Sequence, residues 1–379
     1  MVHKVETVSL MSPGPGTERV LTVHRFGEPG ARPKVYLHAA LHADELPGAL
    51  ILNRMIGWLR EADEAGEIHG EIVVLPYANP VGLSNRIMGY HLGRYDLDGD
   101  GNFNRWYPEF SAKIGDRIGN LLGDNEAANN IVIREAILEA VDAWPGEGEA
   151  NTLRKALMAL SADSDFIFDL HCHGEAIQYL YFPDNHWERY GDLAAELGCR
   201  TILLFPTDSG STFDTASTMI WHALRGRFPD HPIGETPFTT TLELRGQNDV
   251  GDDLALEDAI GLWRFLQRHG ILDGDPGDPP ELLCEPTPLG GSDNLVAPVA
   301  GVLSYRVALG DRIEVGEVVA DIVDPAEIDF EKARTPVASR AAGTLYGRTM
   351  SRLVRPGESF AVVSGSVELP PNDYPVIDY

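Results

Sequence analysis

The sequence is poor in cysteine, in positive charge and in long apolar runs. Its three cysteines, Cys172, Cys199 and Cys284, are odd in number and far apart, so they form neither a disulfide framework nor a CxxC zinc motif. No window reaches the roughly 20 apolar residues that span a bilayer, and residues 1–10 contain no signal-peptide core. We therefore predict a protein of the reducing cytoplasm rather than a secreted or membrane-embedded one.

Basic residues are also scarce relative to acidic ones. The chain has 30 lysines and arginines against 58 aspartates and glutamates, which gives a formal net charge of −28. A field of that sign repels phosphate backbones and anionic lipid headgroups. The sequence thus predicts no nucleic-acid partner and no membrane partner, whereas a homo-oligomer stays open.

Short apolar runs alternate with amphipathic stretches from residue 33 to about residue 267. The helices are predicted at about 47–59, twice within 126–160 around a break at Pro145-Gly146, and at 253–269. The buried strands are predicted at residues 35–37, 72–75, 166–168, 201–205 and 239–244. This alternation predicts an α/β fold with a mixed, mainly parallel sheet that is flanked by helices.

The composition changes after an acidic, turn-rich stretch at residues 273–280. Beyond it come short β-type runs with frequent glycine and proline and no helical period. We therefore predict a catalytic α/β domain over 1–272, a linker over 273–284 and a small all-β domain over 285–379.

The β domain contains two similar runs, at residues 297–303 and 341–345, which resemble the biotinyl/lipoyl barrel-sandwich. Lys332 lies roughly where a carrier's modified lysine would fall, but its neighbours Glu331 and Ala333 do not match the carrier sequence. A carrier role is therefore the lesser alternative. A structural β lid that narrows a cleft is favoured.

Candidate metal ligands follow two of the predicted strands. His42 and Glu45 come after the first strand, and Asp169, His171 and His173 occupy alternate positions after the strand at 166–168. Alternation places these last three side chains on one side, and α/β folds bind ligands at the carboxyl ends of strands. His42, Glu45 and His171 make the His₂Glu set that is typical of catalytic zinc. Asp169 could orient a ligand histidine, and His173 is an additional histidine beside the site.

A glutamate between two leucines is the candidate general base. Thr241, Glu243 and Arg245 share a face of the predicted strand, so an ion pair between Glu243 and Arg245 is the alternative to a catalytic role. As a base, Glu243 would take a proton from water and pass it to the leaving nitrogen.

Arginines in polar loops are informative in so acidic a chain. Asn104 and Arg105 suit the binding of a substrate carboxylate, and Arg86 could stabilise an oxyanion. The preceding Asp96, Asp98 and Asp100 imitate the start of a calcium loop, but the glutamate expected at its twelfth position is absent. A polar turn that leads into Asn104 is the better interpretation.

Five short motifs occur in one order, and together they resemble the succinylglutamate desuccinylase/aspartoacylase family of the zinc carboxypeptidase-like superfamily. The motifs are HADE at 42–45, NP at 79–80 with a following arginine, NFNRWYP at 102–108, DLHCH at 169–173 and TLELRG at 241–246. The resemblance runs from about residue 33 to 250, and the C-terminal β domain fits it. It implies a carboxypeptidase-like fold and the following roles: zinc ligands His42, Glu45 and His171; general base Glu243; carboxylate binders Asn104 and Arg105; carbonyl-polarising Arg86.

The reaction that the resemblance implies is hydrolysis of a small N-acyl amino acid to a carboxylate and a free amine. A metallocarboxypeptidase that acts on short peptides is the alternative, because it uses the same zinc chemistry. The β domain favours the deacylase, since it would crowd out a long peptide. The loop at residues 95–101 is longer than is usual in the family.

Overall fold

The computed structural model describes residues 3–99, 101–207 and 210–370. Within these residues, a nine-stranded mixed sheet with helices on both faces is followed by two smaller sheets. The helices are α1 (Pro47–Ala65), α2 (Pro80–Leu83), α3 (Ser111–Ile118), α4 (Glu126–Asp142), α5 (Glu149–Ser161), α6 (Trp187–Tyr190), α7 (Asp192–Glu196), α8 (Phe213–Arg227) and α9 (Asp252–Arg268), with short 3-10 turns at Asp184–His186 and Leu289–Gly291.

The strands comprise a long N-terminal series, two small hairpins and a C-terminal series. They are β1 (Lys4–Ser9), β2 (Val20–Gly27), β3 (Lys34–Ala39), β4 (Glu71–Leu75), β5 (Arg86–Ile87), β6 (Tyr90–His91), β7 (Tyr95–Asp96), β8 (Gly101–Asn102), β9 (Phe166–His173), β10 (Glu175–Ala176), β11 (Tyr179–Pro183), β12 (Thr201–Phe205), β13 (Phe238–Gly246), β14 (Thr287–Pro288), β15 (Asp293–Val296), β16 (Gly301–Tyr305), β17 (Arg312–Ile313), β18 (Val318–Val323), β19 (Arg334–Ala338), β20 (Gly343–Arg348), β21 (Leu353–Val354) and β22 (Ser359–Gly365).

The large sheet has the order β1-β2-β4-β3-β9-β13-β11-β12-β14. Strands β4, β3, β9 and β13 run parallel to one another at its centre. Antiparallel pairing occurs between β1 and β2, between β2 and β4, and between β11 and β13. The predicted mixed, mainly parallel sheet is thus confirmed.

The sheet separates two apolar cores, and alternate residues of each central strand face opposite cores. On β3, Tyr36 packs with helices α3, α4, α5 and α8, whereas Val35 and Leu37 pack with α1, α7 and α9. Because both faces are covered, the central strands β3, β4 and β9 each contain consecutive apolar residues. This explains why they appear in the sequence as short continuous apolar runs.

The four predicted helices are present as α1, α4, α5 and α9, whereas α3 and α8 were not predicted from the sequence. The predicted break at Pro145-Gly146 separates α4 from α5, as expected for these two residues. Helix α1 continues beyond the predicted end at residue 59 and stops at Gly66, whose φ of 76° lies in the left-handed region that glycine adopts without strain.

Two C-terminal sheets pack on one small core to form an all-β region. One contains β10, β20, β22 and β15, with β17 paired to β20, and the other contains β19, β18, β16 and β21. Their pairing does not close into a barrel in the described part of the chain. The barrel-like part of the expectation is therefore corrected, because these short strands bend into two sheets instead of one continuous ring.

The α/β region and the C-terminal region each add one strand to a sheet of the other. Strand β10, which directly follows β9, pairs with β20, and β14 pairs with β12 at the edge of the large sheet. Glu175 on β10 also accepts hydrogen bonds from Arg348 at 2.5 Å and Arg352 at 2.6 Å. The β region is thereby held against the carboxyl end of β9. The division at residues 273–284 stays a prediction.

The described part of the chain contains no bilayer-spanning helix, since none of its helices combines enough length with enough apolar character.

Candidate active site

The turn that follows β3 carries the first two candidate ligands. Ala40, with a φ of 56°, turns the chain out of the strand. The backbone N–H of Glu45 then donates to the carbonyl of His42 at 3.0 Å. The buried side chain of Asn79 donates to the carbonyl of Leu41 at 2.7 Å, which ties the turn to the end of β4. The asparagine of the NP motif is therefore a structural support for the ligand turn.

A second loop approaches this turn at a glycine. The backbone N–H of Ala43 donates to the carbonyl of Gly93 at 3.0 Å. A Cβ at position 93 would lie 2.2 Å from the backbone nitrogen of Asp44, so only glycine permits this approach. The contact brings the next residue, Arg94, into the site, where its Nη1 lies 2.9 Å from Glu45 Oε1.

His42, Glu45 and His171 converge around one point. Glu45 Oε1 lies 3.1 Å from His42 Nδ1, and Glu45 Oε2 lies 2.7 Å from His171 Nδ1. The donor atoms of all three lie within 4.8 Å of one another, and each side chain is at most 3% exposed. Two imidazole nitrogens and a carboxylate make a donor set that suits a divalent cation, so these residues could hold a metal ion.

The electrostatics of this cluster also favour a cation. Burial opposes charge on His171, but the carboxylates of Asp169 and Glu45 raise its pKa well above the usual value. Burial likewise opposes ionisation of Glu45, yet His42 and His171 hold its pKa well below the usual value. The centre therefore attracts positive charge, which a metal ion would supply.

Two further side chains orient the ligand histidines. His42 Nε2 lies 2.8 Å from Asn102 Oδ1, and His171 Nε2 lies 2.8 Å from Asp169 Oδ1. Because each Nε2 can donate to these oxygens, each Nδ1 is left with its lone pair toward the ligand point. Arg154, which is 2% exposed, holds the loop by donating to the carbonyl of Asn102 at 3.0 Å.

Asp169 has a second buried partner that the sequence analysis missed. Its Oδ1 lies 2.7 Å from His38 Nε2, and His38 Nδ1 lies 3.0 Å from the hydroxyl of Tyr36. Although burial opposes it, His171 and His38 lower the pKa of Asp169. The carboxylate is thus kept charged beside His171, in the orienting position predicted for it.

Glu243 lies on β13, directly opposite His171 on β9. Its Oε2 is buried and has no hydrogen-bond partner among the described residues. Burial, together with the charge of Glu45, raises the pKa of Glu243 to about 8. A carboxylate with a raised pKa and an unused oxygen is suited to accept a proton.

The predicted sharing of a face by Glu243 and Arg245 is wrong. The register between β13 and β9 shifts between Glu243 and Gly246, and Arg245 has a φ of 64°. This irregularity turns Arg245 toward α9, where its guanidinium bonds to Asp258 and Gln178. Glu243 is consequently not paired with Arg245 and faces the cavity.

The cluster opens into a cavity of about 450 Å³, a size that suits a small molecule. Ligand-type residues form its floor, and tyrosines, threonines and a loop after β12 form its walls. The lining residues are His42, Glu45, Arg94, Asn104, Arg105, His171, Cys172, His173, Tyr179, Tyr181, Phe205, Gly210, Thr212, Asp214, Thr215, Thr241, Glu243 and Leu289.

Asn104 and Arg105 both line the cavity, as does His173. Asn104 is fixed by its Oδ1, which accepts a hydrogen bond from the backbone N–H of Phe213 at 2.8 Å. Burial and the nearby Arg94 lower the pKa of His173 to about 4, so this imidazole is neutral near pH 7. It lies outside the three-residue ligand cluster and packs against Gly347 of the β region.

Arg86 lies elsewhere. It is exposed on β5, where it pairs with His91 in a hairpin, and it is not among the residues that line the cavity. Arg94, eight positions later in the same loop, lines the cavity instead. The hairpin β5–β6 carries Arg86 outward before Gly93 returns the chain to the ligand turn. The carbonyl-polarising role assigned to Arg86 is therefore corrected to Arg94 in the proposal below.

Four residues at or beside the site were not assigned a role from the sequence: Arg94, Asn102, His38 and Asp214. Arg94 is closer to the Asn104 motif than Arg86 is, which was a usable signal. His38 ends an apolar strand two residues after Tyr36, a position that suggested only burial. In the calcium-like sequence, Asp96 Oδ1 accepts a hydrogen bond from the backbone N–H of Asp98 at 3.2 Å, which closes the turn, and Asp100 lies outside the described residues.

The chain matches known proteins in sequence. Residues 31–129 match the Succinylglutamate desuccinylase/Aspartoacylase catalytic domain. The N-alpha-acetyl-L-2,4-diaminobutyric acid deacetylase of Halomonas elongata is 25% identical over 353 residues, which are 89% of this chain and 84% of that protein.

Solved structures share the fold over nearly the whole length. A succinylglutamate desuccinylase/aspartoacylase family protein from Shewanella amazonensis has a TM-score of 0.82 at 22% identity, with 95% of this chain and 98% of that chain covered. The product-bound ectoine utilization protein EutE (DoeB) from Ruegeria pomeroyi has a TM-score of 0.69 at 16% identity, with 96% and 95% covered. The predicted fold class is confirmed by these likenesses.

The orienting role of Asp169 can be tested by replacement with asparagine. We expect Asp169→Asn to weaken metal affinity roughly 10- to 100-fold, because a neutral amide makes His171 a weaker ligand. Competition with a chromophoric zinc chelator measures the affinity. Asp258→Asn, which removes another buried carboxylate at a distance from the cluster, should leave it unchanged. Equal affinities for Asp169→Asn and the parent protein would contradict the assignment.

Proposed function

We propose that this chain belongs to the succinylglutamate desuccinylase/aspartoacylase family, whose catalytic domain matches residues 31–129, and that it is a zinc-dependent hydrolase that cleaves the amide bond of a small N-acyl amino acid. One observation carries the proposal. The donor atoms of His42, Glu45 and His171 meet within 4.8 Å, and an unpartnered oxygen of Glu243 faces the same cavity. A ligand set beside an unused base is the arrangement that metal-assisted amide hydrolysis requires.

Zinc is the proposed metal because two histidines and one carboxylate, with room for a further ligand, are typical of its catalytic sites. When bound, the ion would lower the pKa of water and polarise the carbonyl of the substrate.

Glu243 would act as the general base and then as the general acid. Its partnerless Oε2 can accept a proton from the attacking water, and the raised pKa lets the resulting acid form near neutral pH. The same carboxyl group can then donate that proton to the leaving nitrogen, so that a neutral amine departs. Neither a serine nor a cysteine nucleophile is needed, and burial keeps the thiol of Cys172 protonated by raising its pKa.

Two arginines would each stabilise one of the two negative charges that the bound substrate carries during the reaction. Arg94 lies at the ligand cluster, where its guanidinium can stabilise the oxyanion that forms from the carbonyl. Arg105, beside Asn104 on the cavity wall, can bind the carboxylate of the amino acid in a planar, two-point contact. Tyr179 and Tyr181 also line the cavity, where their rings would exclude water from the amide.

The deacylase is favoured over the metallocarboxypeptidase by the walls of the cavity and by the named relative. Leu289, from the segment that precedes the β region, lines the cavity, and Tyr346 on β20 packs against Tyr179 at 4.8 Å between ring centroids. These contacts bring the β region against the cavity wall. The Halomonas elongata protein is named as a deacetylase of an N-acetyl amino acid. A carrier role finds no support at Lys332, which forms an exposed pair with Asp329 at 3.1 Å.

Turnover of matched substrates tests the proposal. The purified protein should release amine from N-acetyl amino acids faster than from dipeptides with the same C-terminal residue, because the short cavity accommodates the smaller acyl group. Chelation should abolish the activity, and added Zn²⁺ should restore it. Faster cleavage of the dipeptides would instead establish the carboxypeptidase.

The role of Glu243 predicts a separation between metal binding and turnover. We expect Glu243→Gln to keep one equivalent of zinc but to lower kcat by roughly 100- to 10,000-fold, since the amide cannot accept the proton. Metal content by elemental analysis and steady-state kinetics measure the two properties. Appreciable turnover in a variant with full zinc content would show that another residue is the base.

The two arginines of the same loop provide a matched pair. At saturating zinc we expect Arg94→Met to lower kcat by roughly 100- to 1,000-fold, the usual cost of losing an oxyanion donor. Arg86→Met should leave kcat unchanged, because its side chain is exposed on the hairpin. The reverse ranking of the two variants would return the polarising role to Arg86.

A further inference from the structure

Asp214 is a cavity-lining carboxylate that the proposed reaction does not use. It is the second residue of α8, and its side chain is one of the lining groups even though the residue is only 5% exposed. Helix α8 begins beside the site, because the backbone N–H of Phe213 bonds to Asn104. Asp214 is thus placed in the wall of the same cavity as Arg105 and Glu243.

Neutral donors hold Asp214 from three directions. Its Oδ1 accepts hydrogen bonds from Thr212 Oγ1 at 2.5 Å and from the backbone N–H of Thr215 at 3.0 Å. Its Oδ2 accepts one from Thr241 Oγ1 at 3.0 Å. These bonds fix the direction of the carboxylate but leave its charge uncompensated. No lysine or arginine of the described chain forms an ion pair with it, and burial followed by the charge of Asp169 raises its pKa.

The other charged groups of the cavity already have partners or roles. Glu45 belongs to the ligand cluster and contacts Arg94, Glu243 is the proposed base, and Arg105 is the proposed carboxylate binder. Asp214 remains as one preoriented carboxylate in the wall of the cavity. A buried carboxylate without a counter-ion is costly, and a positively charged group on the substrate would remove that cost.

We infer that Asp214 is the specificity-determining residue that recognises a free ammonium group, and that it selects a diamino acid acylated on one nitrogen only, which is the class of compound in the name of the Halomonas elongata protein. The inference rests on the proposed function and adds a second amino group to it. The cavity then offers one partner for each polar part of such a molecule: Arg105 for the carboxylate, the ligand cluster with Glu243 for the amide, and Asp214 for the ammonium group.

A structural role for Asp214 is the competing explanation. Carboxylates in the first turn of a helix are stabilised by the helix dipole, and Asp214 occupies that position in α8. Such residues normally face solvent, as Asp253 does in the first turn of α9. Asp214 instead faces the cavity, and kinetics with paired substrates separate the two roles.

The paired substrates are Nα-acetyl-2,4-diaminobutyrate and N-acetylnorvaline, in which a methyl group replaces the ammonium group. With the zinc-loaded, full-length protein, we expect Asp214→Asn to lower kcat/KM for the first substrate by roughly 100-fold, mostly through KM, as for loss of one partner of a buried ion pair. Its kcat/KM for N-acetylnorvaline should not fall. Asp253→Asn should change neither value. An equal loss on both substrates would overturn the inference and leave Asp214 as a structural residue.

A measurement on the unmodified protein decides the case if Asp214→Asn does not fold. We expect Nα-acetyl-2,4-diaminobutyrate to be hydrolysed with a much lower KM than its Nα,Nγ-diacetyl form, in which the second nitrogen is uncharged. Equal KM values would overturn the inference while leaving amide hydrolysis established. Absence of hydrolysis for all N-acetyl amino acids would instead overturn the proposed function itself.

Discussion

The carboxylate of Glu45 is the group on which the rest of the site depends. It is 2% exposed and lies within 3.1 Å of His42, His171 and Arg94. A buried carboxylate is tolerated only with close, well-oriented partners, so the turn, the neighbouring strand and the Gly93 loop have to meet at one place. The backbone N–H of Cys172 adds a fourth contact to Glu45 at 3.1 Å.

The central strands supply the rigidity that this meeting requires. Strands β3, β9 and β13 are adjacent and parallel, so their carboxyl ends bring the ligand turn, His171 and Glu243 to the same edge of the sheet. Their side chains sit between two packed cores, which leaves little freedom to move. The loops contribute the more adaptable groups, among them Arg94, Asn102 and Arg105. Loop residues can therefore differ without displacing the cluster that the strands hold.

Charge is arranged unevenly across the cavity. Glu45 carries negative charge in the ligand cluster, while Arg94 and Arg105 place positive charge in the same cavity. Asp214 adds a negative group that the threonines around it orient but do not neutralise. Because the interior screens charge poorly, each of these groups affects which molecule can enter. The net negative charge of the chain has less influence on which molecule binds, since salt screens exposed charges.

The sequence was sufficient to predict the α/β fold and to select side chains that the structure brings together, because the carboxyl ends of parallel strands meet at one edge of a sheet. Residues His42, Glu45, His171 and Glu243 all belong to such strand ends. Arg86 instead lies in a loop, where position along the sequence does not determine which side chain enters the site.

Side-chain directions in loops and at irregular backbone were decided only by the tertiary structure. Gly93 brings Arg94 inward because no Cβ obstructs the approach, and the shifted register near Arg245 turns that side chain away from Glu243. The pairing of His38 with Asp169 joins strands about 130 residues apart. Local sequence carries no record of such contacts, since they arise when distant segments are packed together. The sequence therefore indicated which side chains could form the ligand set. The groups that support this set and line the cavity were identified only in the tertiary structure, because packing brings them together.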